Sequence, residues 1–333
     1  MKYIFYSSVS TLLLSVRPIV AECHAPFSSK FVSAFRGVLV FLLVAPAAIS
    51  GPNIRHVRAN GVDLAYVEKG RGTPILLVHG SLSDFTMWSA QMDVLGRNHR
   101  VIALSRRYHW PNVLKEEPKD YTPQLHAQDV VAFIQALGLA PVHLVGHSYG
   151  GFVCAYVAKD HPELVRSITL IEPPIFSFLS SHPERPPFVT TALDLFAKGE
   201  DDSAVKSFIS GVHGPGSFER LPPKIQEHML MNAREMRAEL RMPPERYFPA
   251  FTCDDARRIT TPTLLVTGTN SPSSFRAILD QVHVCVPSTS VTVIPAASHG
   301  VQFENPEAFN DALLNFVVQV EKPLSSARKT GRT

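Results

Sequence analysis

From Ile54 onward the chain alternates short apolar runs with amphipathic stretches. Ile54–Ala59 and Val62–Glu68 flank Asn60-Gly61, a dipeptide suited to the left-handed backbone of a tight hairpin turn. Pro74–Val78 (PILLV) is continuously apolar, the pattern of a strand covered on both faces. Val101–Leu104, Val142–Val145 and Ser167–Ile171 read as further short strands. Between them Asp84–Leu95, Thr122–Leu137 and Gly151–Lys159 read as helices. The second of these opens on Thr-Pro and stops at Gly138, a start and a stop signal.

The rhythm breaks at Pro173. From there to about Asp255 the chain is proline-rich and helical, with Leu193–Phe196, Ala204–Ile209 and Lys224–Arg237 as its apolar or amphipathic segments. Alternation then resumes with a strand at Thr263–Val266, a helix at Ser273–Val284, a strand at Val291–Ile294 and a helix at Pro306–Val318. Strand-helix alternation predicts an α/β fold: a mostly parallel eight-stranded sheet with helices on both faces. The break predicts a helical lid inserted after strand 6. The expected organisation is a leader over 1–50, a core over 51–172 and 256–320, a lid over 173–255 and a disordered polar tail over 321–333.

The leader holds two apolar stretches, Tyr3–Val16 and Gly37–Ile49. Both fall short of the roughly 20 apolar residues of a membrane span. The second follows Lys30 and Arg36 and ends in Ala45-Pro46-Ala47-Ala48, the charged start, apolar centre and small-residue end of a secretory signal. Such a signal normally begins the chain, and this one starts some thirty residues in. Export or membrane association through the leader is expected ahead of a cytoplasmic location.

Composition narrows the function classes. Hydrophobic residues make up 45% and charged residues 18%, which suits a globular core. A net charge of +3 without a basic stripe argues against nucleic acid as a partner. The four cysteines form no CxxC pair and the fourteen histidines no HExxH helix, so no metal or cofactor is called for. Cys154 sits in an apolar helical run and reads as a core residue. A disulfide among Cys23, Cys253 and Cys285 is open, with no pairing readable from spacing.

The chemistry centres on Gly146-His147-Ser148-Tyr149-Gly150, a G-x-S-x-G segment between a predicted strand and a predicted helix. A serine on such a sharp turn projects its hydroxyl from the sheet edge, and the glycines leave room for the close approach of strand and helix. A serine hydroxyl needs a base. His299, in the loop after the last strand, is expected to be that base, at the same end of the sheet; His147 is expected to pack behind the turn. An oxyanion needs two donors. The N–H of Tyr149 opens the following helix, and the N–H of Ser81 lies in the His79-Gly80-Ser81-Leu82 loop after PILLV.

These pieces resemble the α/β-hydrolase superfamily in its lid-bearing, esterase-like branch. The matching segments are PILLVHGS at 74–81 and Trp88, VHLVGHSYGG at 142–151, LIEPP at 170–174, PTLLVTG at 262–268 and ASHGVQFENPEAF at 297–309. The resemblance implies a serine-histidine-acid triad, with the acid usually an Asp just after strand 7. Here that stretch, Gly268-Thr269-Asn270-Ser271-Pro272, has no carboxylate. Glu172, at the end of strand 6, is an alternative location in relatives and is the leading candidate. Asp254, Asp255 and Asp280 are weaker ones, and a missing acid, with Asn270 or water orienting His299, stays open.

The loop Ser105-Arg106-Arg107-Tyr108-His109-Trp110 borders the site in this architecture, which makes Arg107 and Trp110 candidates for substrate contact, against a purely packed loop. Phe176, Phe178, Leu179 and Phe188 are candidates for an apolar acyl pocket. The expected partner is a small ester-like molecule. Three functions follow from these residues: an esterase or lactonase working through an acyl-enzyme; a carbon–carbon hydrolase of a diketone-like acid, motivated by Arg106 and Arg107; and a non-catalytic ligand-binding member of the fold. Epoxide hydrolase and dehalogenase chemistry is disfavoured, because there the resemblance implies a carboxylate nucleophile and position 148 is serine.

Overall fold

The computed structural model describes residues 53–322 apart from 113–115, 117 and 181–184. The leader and the tail beyond 322 lie outside the described residues, and with them the expectations attached to 1–50 and to most of 321–333. The hairpin forms as β1 (Arg55–Ala59) and β2 (Val62–Lys69), antiparallel, with Asn60 and Gly61 both at positive φ. Then follow β3 (Pro74–Val78), β4 (Arg100–Leu104), β5 (Val142–His147), β6 (Val165–Ile171), β7 (Thr263–Gly268) and β8 (Thr289–Ile294). They form one eight-stranded sheet in the order β1-β2-β4-β3-β5-β6-β7-β8, parallel from β4 to β8.

Successive side chains on a strand face opposite ways, so the apolar run of β3 feeds two cores. Leu76 and Val78 join Leu144, Phe133 and Phe152 on one face. Ile75 and Leu77 join Trp88, Phe309 and Leu313 on the other. The first face is covered by α2 (Pro123–Ala136) and α3 (Tyr149–Asp160), and the second by α1 (Ser89–Leu95) and a long helix at Pro306–Glu321. Thr122 caps α2 through Leu125 N–H, as Thr-Pro predicts.

Between β6 and β7 lies the helical insertion. It comprises α4 (Pro187–Ala197), α5 (Asp201–His213), α6 (Ser217–Arg220), α7 (Pro223–Met231), α8 (Ala233–Arg241), α9 (Pro244–Tyr247) and α10 (Cys253–Arg257). The expected single helix over Lys224–Arg237 is instead broken at Asn232. Its buried side chain is fixed from outside the helix: Oδ1 accepts from Trp110 N–H at 2.8 Å, and Nδ2 donates to Asp84 Oδ2 at 3.2 Å. The chain turns there to keep both bonds.

After β7 come α11 (Ser273–Cys285), α12 (Val301–Glu304) and α13 (Pro306–Glu321). Cys253 and Cys285 are joined by a disulfide that ties α10 to the end of α11, while Cys154 is free and buried. The expected tail boundary at Glu321 needs correcting. Glu321 belongs to α13, where its carboxylate lies 3.5 Å from His99 Nε2 and 3.4 Å from His143 Nε2. No described helix is long and apolar enough to cross a membrane.

Candidate active site

In register, His147 pairs with Ile171 at the carboxyl ends of β5 and β6. The residues one step further, Ser148 and Glu172, therefore leave neighbouring strands side by side. Both have left-handed backbones, φ 51° and 44°, a region that costs a non-glycine residue energy and recurs at functional sites. Ser148 N–H donates to Ile171 O at 2.8 Å, which fixes the turn to the neighbouring strand.

Two glycines allow this turn to close. A Cβ on Gly146 would stand 2.5 Å from Gly150 O, and one on Gly150 would stand 2.4 Å from the carbonyl oxygens of Val78 and His79. Gly80 approaches the turn from the other side: a Cβ there would meet Ser148 Cβ at 3.0 Å. The Ser81 loop is thus packed directly against Ser148. Tyr149 is the first residue of α3, where an N–H has no acceptor within its own helix.

Ser148 and His299 line the same cavity, about 110 Å³ of internal space, together with Ser81 and Tyr149. His299 Nδ1 lies 2.6 Å from Glu172 Oε2. The other oxygen of Glu172 accepts from Thr267 Oγ1 at 2.6 Å and from Gly268 N–H at 3.2 Å. Burial alone would raise the Glu172 pKa. The hydrogen bond and charge of His299, with hydrogen bonds from Ser271 and Thr267, outweigh it and bring the carboxyl from 4.5 down to about 2. The stretch after β7 that lacks a carboxylate thus supplies donors to a carboxylate from β6. The rival acids stand elsewhere. Asp254 and Asp280 pair with Arg257 and Arg276 on the surface, and Asp255 caps α10.

The ring of Phe275 stacks on His299 at 4.3 Å between centroids. His147 is not confined behind the turn: it lines the cavity beside His299, with Nε2 donating to His299 O at 2.8 Å. His213, at the end of α5, places its ring 5.3 Å from His299 within the cavity. Burial and the charge of His299 lower its pKa to about 3, so it is a neutral imidazole at ordinary pH. Its helix-end position carries no sequence signal of this role.

The remaining cavity wall is mostly apolar. Phe176 and Phe188 line it with Phe208, Met229 and Phe248, whereas Leu179 borders an adjoining cavity and Phe178 packs toward Phe251. Arg107 and Trp110 are not brought to Ser148. The Arg107 guanidinium is buried in a two-pronged ion pair with Asp129. The Trp110 ring packs between Phe85 and His228, at 5.4 and 5.0 Å. These two expectations are corrected by packing: each side chain is held by a partner distant in sequence. Arg106 is also buried and turned inward, bonded to the carbonyls of His79 and Gly80.

Among the described residues one set has the donor types of a cation site: His109, Glu235 and Glu239, with ligand atoms within 4.8 Å of one another. Tyr121 donates to Glu235 and Ser81 to Glu239, so these carboxylates already have protein partners.

Residues 75–312 match the model of the alpha/beta hydrolase family. The chain is 26% identical to a 2-(acetamidomethylene)succinate hydrolase of Mesorhizobium japonicum, over 79% of this chain and 94% of that protein. Among solved structures it resembles a carboxylesterase from Bacillus subtilis (TM-score 0.68, 22% identity, 81% of this chain and 93% of that one). It also resembles an N-acyl homoserine lactone degrading enzyme (TM-score 0.65, 23% identity, 79% and 100%).

Proposed function

Because the chain belongs to the alpha/beta hydrolase family, we propose that it is a serine hydrolase that cleaves a small ester or lactone through an acyl-enzyme. The observation that carries this reading is the 2.6 Å contact between His299 Nδ1 and Glu172 Oε2, at the wall of the cavity that Ser148 lines. With Nδ1–H committed to the carboxylate, Nε2 keeps its lone pair and can take a proton.

The steps follow from that tautomer. Ser148 Oγ attacks the carbonyl carbon while His299 Nε2 takes its proton. The N–H groups of Ser81 and Tyr149 receive the charge that develops on the carbonyl oxygen. The imidazolium, stabilised by Glu172, returns the proton to the leaving alcohol. Water then attacks the acyl-enzyme with His299 again as base. The apolar wall of Phe176, Phe188, Phe208 and Phe248 suits an uncharged acyl group. Names of relatives support the class: a lactone-degrading enzyme and a carboxylesterase share the fold.

The carbon–carbon hydrolase reading drew on Arg106 and Arg107, and neither lines the cavity. Arg185 does line it, but its two terminal nitrogens donate to Leu240 O and Met242 O.

A fluorophosphonate probe tests the proposal. The native protein should be labelled at Ser148 and should release nitrophenol from an activated ester in a burst. Ser148→Ala should abolish both. Absence of labelling in the folded native protein would favour a non-catalytic binding role instead.

A further inference from the structure

The Arg106 side chain is 2% exposed, directly after β4, and touches neither the cavity nor solvent. Burying a guanidinium is costly unless its donors and charge are met. Here Nε donates to His79 O and Nη2 to Gly80 O, each at 3.1 Å. Its own backbone N–H donates to His79 Nε2 at 2.9 Å, while His79 Nδ1 donates to Gly80 O at 2.7 Å. The His79-Gly80 segment is therefore gripped from one side by a single residue. Arg106 also lies 5.0 Å from the Tyr149 ring centroid, over the residue that opens α3.

The peptide between Gly80 and Ser81 is planar, and in the trans form its C=O and N–H point in opposite directions. Holding Gly80 O on the Arg106 side turns Ser81 N–H to the other side. Ser81 itself lines the cavity, and Gly80 packs on Ser148. The Ser81 side chain is fixed as well, since Oγ donates to Glu239 on α8 and lies 3.2 Å from Tyr247 Oη. Glu239 and Glu235 sit one helical turn apart, both fully buried, with the charge of Arg106 acting on each. Burial raises the pKa of both carboxyls, more strongly that of Glu235, and the Arg106 charge opposes the rise in each.

We propose that Arg106, assisted by Glu239, is a positioning residue for oxyanion binding: it fixes the Gly80–Ser81 peptide so that Ser81 N–H faces the reacting carbonyl oxygen beside Ser148. This rests on the serine-hydrolase reading. It assigns Arg106 to the architecture of the transition-state site and not to recognition of an acidic substrate.

The test compares Arg106→Met, Arg106→Lys and Glu239→Gln with the native protein. The readouts are hydrolysis of a nitrophenyl ester and inhibition by a trifluoromethyl ketone, which forms a tetrahedral oxyanion on the serine. Direct loss of an oxyanion donor costs about 10²- to 10³-fold in kcat. Loss of its positioning should cost roughly 10- to 100-fold in Arg106→Met, with KM within about threefold and ketone affinity falling in parallel with kcat. Arg106→Lys, which can still reach one carbonyl, should recover part of both. Glu239→Gln keeps an acceptor for Ser81 Oγ and should lose the least. Should Arg106→Met not fold, the lysine variant carries the comparison, and undiminished ketone affinity in it overturns the inference. So does a folded methionine variant whose ketone affinity and kcat match the native values, or one whose KM alone changes. Native protein that neither reacts with fluorophosphonate nor turns over ester overturns the hydrolase reading itself, a distinguishable failure that removes the basis of this inference.

Discussion

Glu172 combines a left-handed backbone, φ 44°, with complete burial and a carboxylate whose two oxygens are both engaged. Such a residue persists only where its surroundings over-determine it. Glu172→Gln keeps the shape but loses the charge that, in the proposed mechanism, stabilises the imidazolium. Steady-state kinetics should show kcat lower by on the order of 10³- to 10⁴-fold with little change in KM; activity within tenfold of native would mean that another group orients His299. The depressed pKa also has a stability consequence. A carboxyl held at about 2 in the folded protein, against 4.5 ordinarily, stabilises the fold above pH 4.5, and that contribution is lost as pH falls toward 2. Acid unfolding of Glu172→Gln should accordingly be flatter across that interval than that of the native protein. Ser148 and His299 were legible because a local motif and chain order mark them. Glu172 could only lead a field of rivals, because its donors come from Thr267, Gly268 and Ser271, about a hundred residues later. Arg107 was misplaced for the same reason, since nothing local announces Asp129 as its partner.

The strands are legible in the sequence, because alternation and apolar runs are the direct imprint of a sheet with two covered faces. Of the insertion, the sequence shows only that it is helical. Its breaks are set by contacts with the core, as at Asn232, and not by its own periodicity. One such contact is titratable. His228 on α7 lies 3.0 Å from Asp84 Oδ2, and this hydrogen bond raises the His228 pKa above 6.5 against the opposing effect of burial. A raised histidine pKa stabilises the folded state fully below 6.5, and the contribution is lost as pH climbs through the folded value. Hydrogen exchange in α7 should therefore quicken as pH rises above 6.5, beyond the intrinsic rate change. His228→Gln should remove that excess, and an unchanged excess in the variant would assign it to another group. Asn232→Ala, which removes the side-chain acceptor of Trp110 N–H and one of the donors to Asp84, should destabilise the protein by about 1–3 kcal/mol in urea denaturation.

At the scale of the whole molecule, the sheet gathers Ser148, Glu172 and His299 at the carboxyl ends of β5, β6 and β8, from segments as far apart as 148 and 299. The alternating pattern predicts a mostly parallel sheet, while the strand order that produces this convergence comes from the hydrogen-bond register. The helical insertion completes the cavity with apolar side chains, of which Phe176 and Phe188 are candidates from sequence while Phe208, Met229 and Phe248 are not. Burial of Glu235 and Glu239 was similarly invisible, because acidic residues one turn apart on a helix ordinarily face water. The Cys253–Cys285 bond closes a loop with a sequence separation of 32 between the insertion and the segment after β7. Cross-linking a loop of that size contributes about 3–4 kcal/mol in the chain-entropy account. Denaturant midpoints measured with and without reductant should differ in that direction, and equal midpoints would mean that the bond constrains little.

The same bond is also a record. Disulfides are kept in oxidising compartments and are rare where thiols are held reduced. The redox state of Cys253 and Cys285, trapped by alkylation as the native cell is opened, therefore reports where this chain completed its folding. Export through the 1–50 leader, which we propose, requires the pair to be recovered oxidised, while recovery as two alkylated thiols would place the chain in a reducing interior.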